Sequence, residues 1–352
     1  FSFRLHALYK RAELCNIMKH LHRVTTIFSF MIVLFSFFEI NANSSDKLAI
    51  NSFEPLEING TKLWVLIRSS NPDNPVFMYL HGGPGHSIIP WAHVATDTLT
   101  EKFTVVHYDQ RGTGMSLDEK MNRDTLTMNQ FMDDCLKVTL YLKKRFGKDK
   151  IYLLGHSWGS VLGMRMIHKY PEHYAGYIGV GQIVHFAKQT QTSRNWTSSR
   201  IRANGNDQEE IETAHNAYFF DGYQRLLGKY RGIIHNITWD EARAIRINSP
   251  YRKNDYTDDL FRRGLTFSHS GGNLFSSYTH VDFFKEIPSV KVPVFFFCGR
   301  YDYLTSSPDV ERYYKSVEAP HKKLFWFEKS AHRIDIEEPE LFQSRIFECL
   351  LN

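Results

Sequence analysis

The sequence has few cysteines, and none of them are grouped. Its 352 residues contain four cysteines, and no two of them form a C-x-x-C pair. This spacing excludes a disulfide-stapled scaffold and a cysteine-ligated zinc site. The four cysteines are Cys15, Cys135, Cys298 and Cys349. We therefore expect mostly buried thiols, with one disulfide as the alternative.

An excess of one charge is also missing. The formal charge is +5, of which residues 1–42 contribute three, so the body of the chain carries only +2. A body this close to neutral argues against nucleic acid as a partner. The sequence shows no metal-ligand cluster and no phosphate-binding loop, so we predict neither a metal nor another cofactor. The hydrophobic fraction of 42% is that of an ordinary globular protein.

No apolar run is long enough for an ordinary membrane-spanning helix. The longest, residues 24–38, has fifteen uncharged residues after Lys19 and Arg23, whereas a span needs about 20. A short apolar segment behind basic residues is typical of a signal peptide. We predict that residues 1–42 hold an export signal starting near Met18, and that the protein is secreted. An uncleaved signal anchor stays open, which would tether the protein to a membrane.

The rest of the chain alternates between β-rich and helical segments. Short apolar runs at residues 76–80, 103–108, 151–154 and 177–180 are separated by loops or amphipathic helices, which predicts a mostly parallel α/β sheet. The pattern changes to polar and helical near residue 185 and returns to β-rich near residue 292. We predict a core formed by residues 43–184 and 285–352, with a helical cap at residues 185–284 inserted between its parts.

A candidate nucleophile follows one predicted strand. Residues 155–159 read Gly-His-Ser-Trp-Gly, directly after the strand IYLL and before a predicted helix. This is the G-x-S-x-G turn, in which the flanking glycines allow a sharp bend that exposes the serine. Ser157 is therefore the predicted nucleophile.

The two partners that a serine nucleophile needs are predicted downstream. In this architecture the order along the chain is Ser, then Asp or Glu, then His, each after a strand. Asp302 follows the strand VPVFFFC and His332 follows KLFWFE. Asp309 and Asp335 are the nearest rivals for the acid, but neither directly follows a strand.

Two backbone N–H groups are predicted to stabilise an oxyanion. One belongs to Trp158, the residue after the candidate nucleophile, as this architecture requires. The other is expected at Gly83, in the loop His81-Gly82-Gly83-Pro84-Gly85 after an earlier strand. Glycine allows the backbone to approach a ligand closely.

Together these motifs resemble the proline iminopeptidase group of the α/β-hydrolase superfamily. The resemblance rests on HGGPG at residues 81–85, DQRGTG at 109–114 followed by Ser116, GHSWGS at 155–160, and the late Asp302 and His332. It implies an eight-stranded α/β-hydrolase fold with a helical cap, and release of an N-terminal residue, typically proline, from peptides. It further implies that Asp109 and Arg111 form a structural clamp.

The resemblance places the activity class better than the substrate. His156 stands where those peptidases usually have glycine, and histidine there is common in relatives that hydrolyse esters or amides. Ser157 excludes epoxide hydrolases and dehalogenases, which need a carboxylate at that position. An esterase, amidase or lactonase therefore stays open, and so does a non-catalytic binding protein on the same scaffold.

An aminopeptidase must also hold a free ammonium group, which needs carboxylate partners once it is desolvated. The acidic candidates for these partners are in the cap, at Glu209, Glu210, Glu212 and Asp221, although such residues more often lie on a solvated helix face. Aromatic residues of the cap could line the pocket, although such residues more often form the core of a cap: Trp196, Tyr218, Phe219, Phe220, Phe275 and Tyr278. The expected partner is thus a small peptide or acyl substrate, and no oligomeric state is predicted.

Overall fold

The computed structural model describes residues 48–216, 222–251, 255–270 and 272–351. The predicted export signal at residues 1–42 and Cys15 lie outside the described residues. So do four residues predicted for the cap, Tyr218, Phe219, Phe220 and Asp221, and the side chain of Phe275. The predictions that concern them stay predictions.

The described chain forms one eight-stranded sheet with the order β1-β2-β4-β3-β5-β6-β7-β8. The strand pairs β1–β2 and β2–β4 are antiparallel, and every other neighbouring pair is parallel. This is the mostly parallel sheet that the sequence predicts. The strands are β1 (Ile50–Ile58), β2 (Thr61–Ser69), β3 (Val76–Leu80), β4 (Thr104–Tyr108), β5 (Ile151–His156), β6 (Tyr174–Val180), β7 (Val294–Gly299) and β8 (Lys322–Phe327).

Helices join the strands and cover both faces of the sheet. Those outside the cap are α1 (Ala92–Ala95), α2 (Met128–Phe146), α3 (Trp158–Lys169), α11 (Ser307–Ser316), α12 (Ile334–Glu337) and α13 (Pro339–Leu351). The described segment between β6 and β7 contains no named strand and contributes α4 (Phe186–Ala203), α5 (Gln208–Asn216), α6 (Gln224–Lys229), α7 (Trp239–Ile247), α8 (Asp258–Ser270), α9 (Gly272–Thr279) and α10 (Phe283–Glu286).

The central strands are buried on both faces. All five residues of β3 and all five of β4 are buried, because helices pack on each side of a parallel sheet. One hydrophobic cluster contains Met78, Val106 and Leu153, and the cluster on the opposite face contains Phe77, Val105 and Leu154. This alternation along each strand anchors the sheet, so the loops at the carboxyl ends of the strands have a rigid support.

Local sequence signals set the ends of α2. Thr127 caps the first turn by accepting a hydrogen bond from the backbone N–H of Gln130, and Gly147 ends the helix with φ +60°. The strands β5 and β6 extend two and three residues beyond the apolar runs predicted at residues 151–154 and 177–180.

The three described cysteines are free thiols. Cys135 and Cys298 are buried, and Cys349 is partly buried. Burial raises the pKa of Cys135 to about 12, so this thiol is protonated and unreactive at neutral pH. The expectation of buried thiols is met at these positions.

Candidate active site

Ser157 lies on the sharp turn between β5 and α3. Its backbone has φ +56° and ψ −120°, a conformation that is strained for any residue with a side chain. The flanking glycines make the turn sterically feasible. A Cβ atom on Gly155 would lie 2.4 Å from the carbonyl oxygen of Gly159, and one on Gly159 would lie 2.2 Å from that of Leu80. The turn therefore exposes Ser157 at the beginning of α3.

His332 and Asp302 meet in the loops after β8 and β7. The Nδ1–H of His332 donates to Asp302 Oδ2 over 2.9 Å. Thr305 holds the same carboxylate, because its backbone N–H donates to Oδ1 over 3.0 Å and its hydroxyl donates to Oδ2 over 2.8 Å. The carboxylate thus orients the imidazole so that Nε2 is the free ring nitrogen.

The surroundings of Asp302 favour its ionised form. Burial opposes the charge, but the interaction with His332 and the hydrogen bonds from Thr305 outweigh it, so the pKa of Asp302 is below its ordinary value. The rival acids are engaged elsewhere. Asp309 accepts hydrogen bonds from Ser306 and Arg312, while Asp335 pairs with Arg333.

The two residues predicted as oxyanion donors, Gly83 and Trp158, both lie next to Ser157. Gly83 has φ +109°, and a Cβ atom there would lie 2.7 Å from the backbone nitrogen of Gly85, so only glycine fits the loop. The preceding Gly82 packs against Ser157, since its own Cβ would lie 3.1 Å from the Cβ of Ser157. Within the described residues, neither the Gly83 N–H nor the Trp158 N–H has a hydrogen-bond partner.

Gln110 connects the loop of Gly83 to Trp158, and it was not identified from the sequence. Its side-chain amide donates to the carbonyl oxygen of His81 over 3.0 Å, and its Oε1 accepts from the indole N–H of Trp158 over 3.0 Å. Its backbone N–H donates to Nε2 of His81 over 3.0 Å. Gln110 therefore fixes the loop of Gly83 relative to α3. Its place in the DQRGTG motif was the available signal.

His156 packs directly against His332. The two ring centroids are 4.7 Å apart, and the Nε2–H of His156 donates to the carbonyl oxygen of His332 over 3.0 Å. Burial and the neighbouring His332 lower the pKa of His156 to about 3, so it is neutral. This contact ties the turn that carries Ser157 to the loop that carries His332.

Two cavities meet at Ser157, and they share Gly83, Ser157, Gln224 and Leu304. The smaller has a volume of about 50 Å³ and is also lined by Ile183, Phe186, Gln189, Thr190, Tyr278 and Thr305. The larger, of about 510 Å³, is within the usual size range of ligand pockets. Its remaining walls are formed by Gly82, His86, Ile88, His156, Ile233, Trp239, Leu265, Thr266, His269, His332 and Arg333.

The structure does not bring the described cap carboxylates to these cavities. Helix α5 buries Ile211 and Ala214 against other cap residues and leaves Glu209 and Glu212 exposed to solvent. Glu210 instead accepts hydrogen bonds from Lys229 and Tyr230. Glu209 and Glu212 thus lie on the solvent side of α5, Glu210 is engaged by its neighbours in the cap, and Asp221 is outside the described residues.

The described aromatic candidates separate into two groups. Tyr278 lines the smaller cavity and packs edge-on against Trp158, with ring centroids 5.2 Å apart. Trp196 stacks on Tyr303 at 4.2 Å and lines neither cavity. One of the two is therefore a pocket residue, and the other supports the cap.

Asp109 and Arg111 have structural contacts and do not bond to each other. Asp109 accepts hydrogen bonds from the backbone N–H of Met115 and the hydroxyl of Tyr256 in the cap. Arg111 pairs with Asp134 of α2 through two hydrogen bonds of 2.8 Å. Each thus anchors the DQRGTG loop to a different neighbour.

Two features are absent from the described residues. No group of histidine, cysteine or acidic side chains there is arranged to hold a metal ion. None of the helices described is both long enough and apolar enough to cross a membrane.

The sheet order, the helices on both faces and the serine turn after β5 define an α/β hydrolase. The sequence model of the family described as serine aminopeptidase, S33, matches residues 71–339. The chain belongs to this family of α/β hydrolases, as the motifs predict.

Individual relatives agree with this assignment. The chain is 31% identical over 320 residues to a probable aminopeptidase of Bacillus subtilis, covering 86% of this chain and 96% of that protein. It is 24% identical to a proline iminopeptidase of Heyndrickxia coagulans, covering 84% and 97% of the two chains. The crystal structure of a proline iminopeptidase from Mycobacterium smegmatis superposes with a TM-score of 0.65 at 18% identity, over 85% of this chain and 98% of that one.

Proposed function

We propose that the protein is a serine aminopeptidase that forms an acyl-enzyme on Ser157. The observation that carries the proposal is the convergence at one cavity of Ser157 and His332, with Asp302 behind His332. A serine hydroxyl becomes a competent nucleophile only when an oriented base accepts its proton. The unpartnered N–H groups of Gly83 and Trp158 are suited to the charge that develops on the attacked carbonyl oxygen.

The residues present supply each step of such a reaction. Ser157 Oγ forms a bond to the substrate carbonyl carbon while Nε2 of His332 takes the hydroxyl proton. The bond from that carbon to the leaving nitrogen then breaks, and His332 gives the proton to the leaving amine. Water repeats the sequence, releasing the acyl group and restoring Ser157. Asp302 stabilises the imidazolium form of His332 in both halves.

We further propose that the acyl group is a prolyl or another small apolar residue with a free amino terminus. The support is the name shared by several relatives, proline iminopeptidase, and the small cavity beside Ser157 with Phe186, Tyr278 and Ile183 on its walls. Asp221, three residues before Gln224 in the sequence, is the remaining predicted partner for the substrate ammonium group.

A second candidate function is an esterase or amidase that needs no free amine. One observation favours it: among the described residues, no carboxylate lines either cavity at Ser157. A desolvated ammonium group without a carboxylate partner is costly, whereas an ester or acylated amide has no such requirement.

One comparison separates the two candidates. We would measure hydrolysis of a prolyl amide, its N-acetyl derivative and a short-chain ester by the full chain, with Ser157→Ala as the control. For an aminopeptidase we expect cleavage of the free prolyl amide, loss of cleavage on acetylation, and no activity in Ser157→Ala. Cleavage of the ester alone would contradict the aminopeptidase and leave the second candidate.

A serine-reactive fluorophosphonate probe tests the nucleophile separately from the substrate. We expect the probe to label the chain and to leave Ser157→Ala unlabelled. A chain that does not react would identify a binding protein on this scaffold and would contradict both candidates.

A further inference from the structure

The two cavities at Ser157 have different access to His332. His332 lines the larger cavity, and the smaller one is closed instead by Thr305, Gln189 and Tyr278. The base that accepts the proton of Ser157 must deliver it to the leaving nitrogen. The leaving group therefore occupies the larger cavity, beside His332, and the acyl group occupies the smaller one.

Arg333 is the charged residue of the leaving-group cavity. Among the described residues that line it, Arg333 is the only Lys, Arg, Asp or Glu. Its side chain is 12% exposed, and it follows His332 directly in the chain. The cavity walls also include the apolar residues Ile88, Ile233 and Leu265. A guanidinium with little exposure to water interacts more strongly with an anion than a surface arginine does.

Two contacts fix the orientation of the Arg333 guanidinium. Its Nε and Nη2 donate to the two carboxylate oxygens of Asp335 over 2.9 and 3.0 Å. Its central carbon lies 5.1 Å from the ring centroid of Trp91. A side chain held in this way loses little conformational freedom when it binds a ligand.

One edge of this guanidinium is still available for a ligand. The group has five N–H donors, and Asp335 takes the Nε edge. Within the described residues, Nη1 has no hydrogen-bond partner. The N–H groups of the Nη1–Nη2 edge have the geometry to donate to both oxygens of a second carboxylate. Because Asp335 already balances the charge, this edge selects through hydrogen-bond geometry more than through net charge.

We propose that Arg333 binds the free α-carboxylate of the leaving amino acid or short peptide. This inference rests on the proposed aminopeptidase function and names its preferred substrate class as short peptide acids, which bind more tightly than the corresponding amides, although the amides are still cleaved. Arg333 follows His332 directly, so the carboxylate lies close to the scissile bond. One extended residue adds only about 3.3–3.6 Å.

The test compares a peptide acid with its amide. In the Ser157→Ala variant, which cannot turn over substrate, we would measure binding of Pro-Leu and of Pro-Leu amide by isothermal titration calorimetry. We expect the acid to bind about tenfold tighter, the range for hydrogen bonds to a charged group. Raised salt should weaken binding of the acid selectively. Equal affinities, including two that are too weak to measure, would overturn the proposal.

Substitutions at Arg333 locate the effect. In the Ser157→Ala background, Arg333→Gln should abolish the preference for the acid, while Arg333→Lys should keep part of it, since lysine preserves the charge without the planar edge. Circular dichroism and the melting temperature check that each variant is folded. A preference for the acid that survives in folded Arg333→Gln would overturn the proposal. If Arg333→Gln does not fold, the comparison of acid and amide with Arg333 in place still tests the proposal.

The outcome can be separated from failure of the aminopeptidase function. The protein with Ser157 intact could cleave esters but no prolyl compound. In that case we would compare its rates of hydrolysis of two acetate esters. The leaving alcohol carries a free carboxylate in one ester and the corresponding amide in the other. An Arg333-dependent preference for the carboxylate would then support the anion site while the aminopeptidase is rejected. No preference would overturn both.

Discussion

Thr305 shows how a single residue controls the proposed acid. Its hydroxyl donates to Asp302 Oδ2 and lies 3.3 Å from Nδ1 of His332. Its carbonyl oxygen accepts a hydrogen bond from Gln189 of the cap helix α4. Thr305 thus acts on the reaction through Asp302, as a positioning residue that also connects the acid loop to the cap.

We expect Thr305→Val to lower kcat/KM about 10- to 100-fold, because a hydrogen bond to a carboxylate is worth about 1.5–3 kcal/mol. Loss of the donor also raises the pKa of Asp302, so protonation of this carboxylate makes activity fall further on the acidic side of the pH–rate profile than at neutral pH. Profiles of kcat/KM from pH 4 to 9 measure both effects. Thr305→Ser keeps the hydroxyl and should restore the profile. An unchanged acidic limb in Thr305→Val would contradict the role.

At the scale of elements, the position of Ser157 depends on how closely α3 approaches β3. The backbone of Gly159 packs against the carbonyl oxygens of Leu80 and His81, at the carboxyl end of β3. The oxyanion loop begins at these same residues. The close approach of helix and strand therefore places the loop of Gly83 beside the turn that carries Ser157 and Trp158.

We expect Gly159→Ala to lower the free energy of unfolding by about 2–3 kcal/mol. Its added methyl group would meet backbone oxygen atoms that cannot rotate away, at 2.2 and 2.6 Å. The matched control is Gly228→Ala in α6, where the nearest atom would be 3.5 Å away and where alanine favours the helix. Urea unfolding of both variants measures the difference. Equal stabilities would show that the helix can shift.

At the scale of the whole molecule, several buried histidines couple folding to pH. Burial lowers the pKa of His81 to about 4 and that of His156 to about 3, and it lowers the pKa of His107 well below its ordinary value. These groups are neutral in the folded state, while the unfolded chain binds their protons below about pH 6.5. Burial acts oppositely on Asp109, whose pKa rises to about 6.

We expect the free energy of unfolding to fall by about 3–4 kcal/mol per pH unit between pH 6 and 4.5. Burial also lowers the pKa of His86 to about 3, so the four histidines give the unfolded state four more protons. Asp109 offsets about one of them, and stability therefore rises with pH in this window. Urea unfolding at several pH values measures the slope. His107→Gln removes one histidine and should reduce the slope by about 1.4 kcal/mol per pH unit. Constant stability from pH 7 to 5 would contradict this account.

Chain order and strand context were sufficient to select Ser157, Asp302 and His332 as candidates for one site, because each follows a strand whose apolar run is visible in the sequence. Thr305 and Gln110 were not identified as site residues. Their roles depend on hydrogen bonds whose partners are set by loop conformation, and a threonine or a glutamine near a motif has many other uses.

The cap was the least predictable part of the site. Acidic composition singled out α5, but amphipathic spacing shows only that Ile211 and Ala214 face an apolar neighbour. The environment of the acidic face of α5 depends on where its apolar face packs. That packing is set by contacts between segments that are distant in the sequence. The solvent exposure of Glu209 and Glu212 follows from that packing.

The sequence by itself determined the α/β-hydrolase class, since hydrophobic periodicity and glycine-dependent turns are local properties of the chain. It also determined which residues carry the proposed chemistry. Only the tertiary structure decided which side of Ser157 each cavity occupies, that Asp335 orients Arg333, and that Arg333 lines the larger cavity. These features arise where loops from separate strands meet the cap, and no local pattern specifies such contacts.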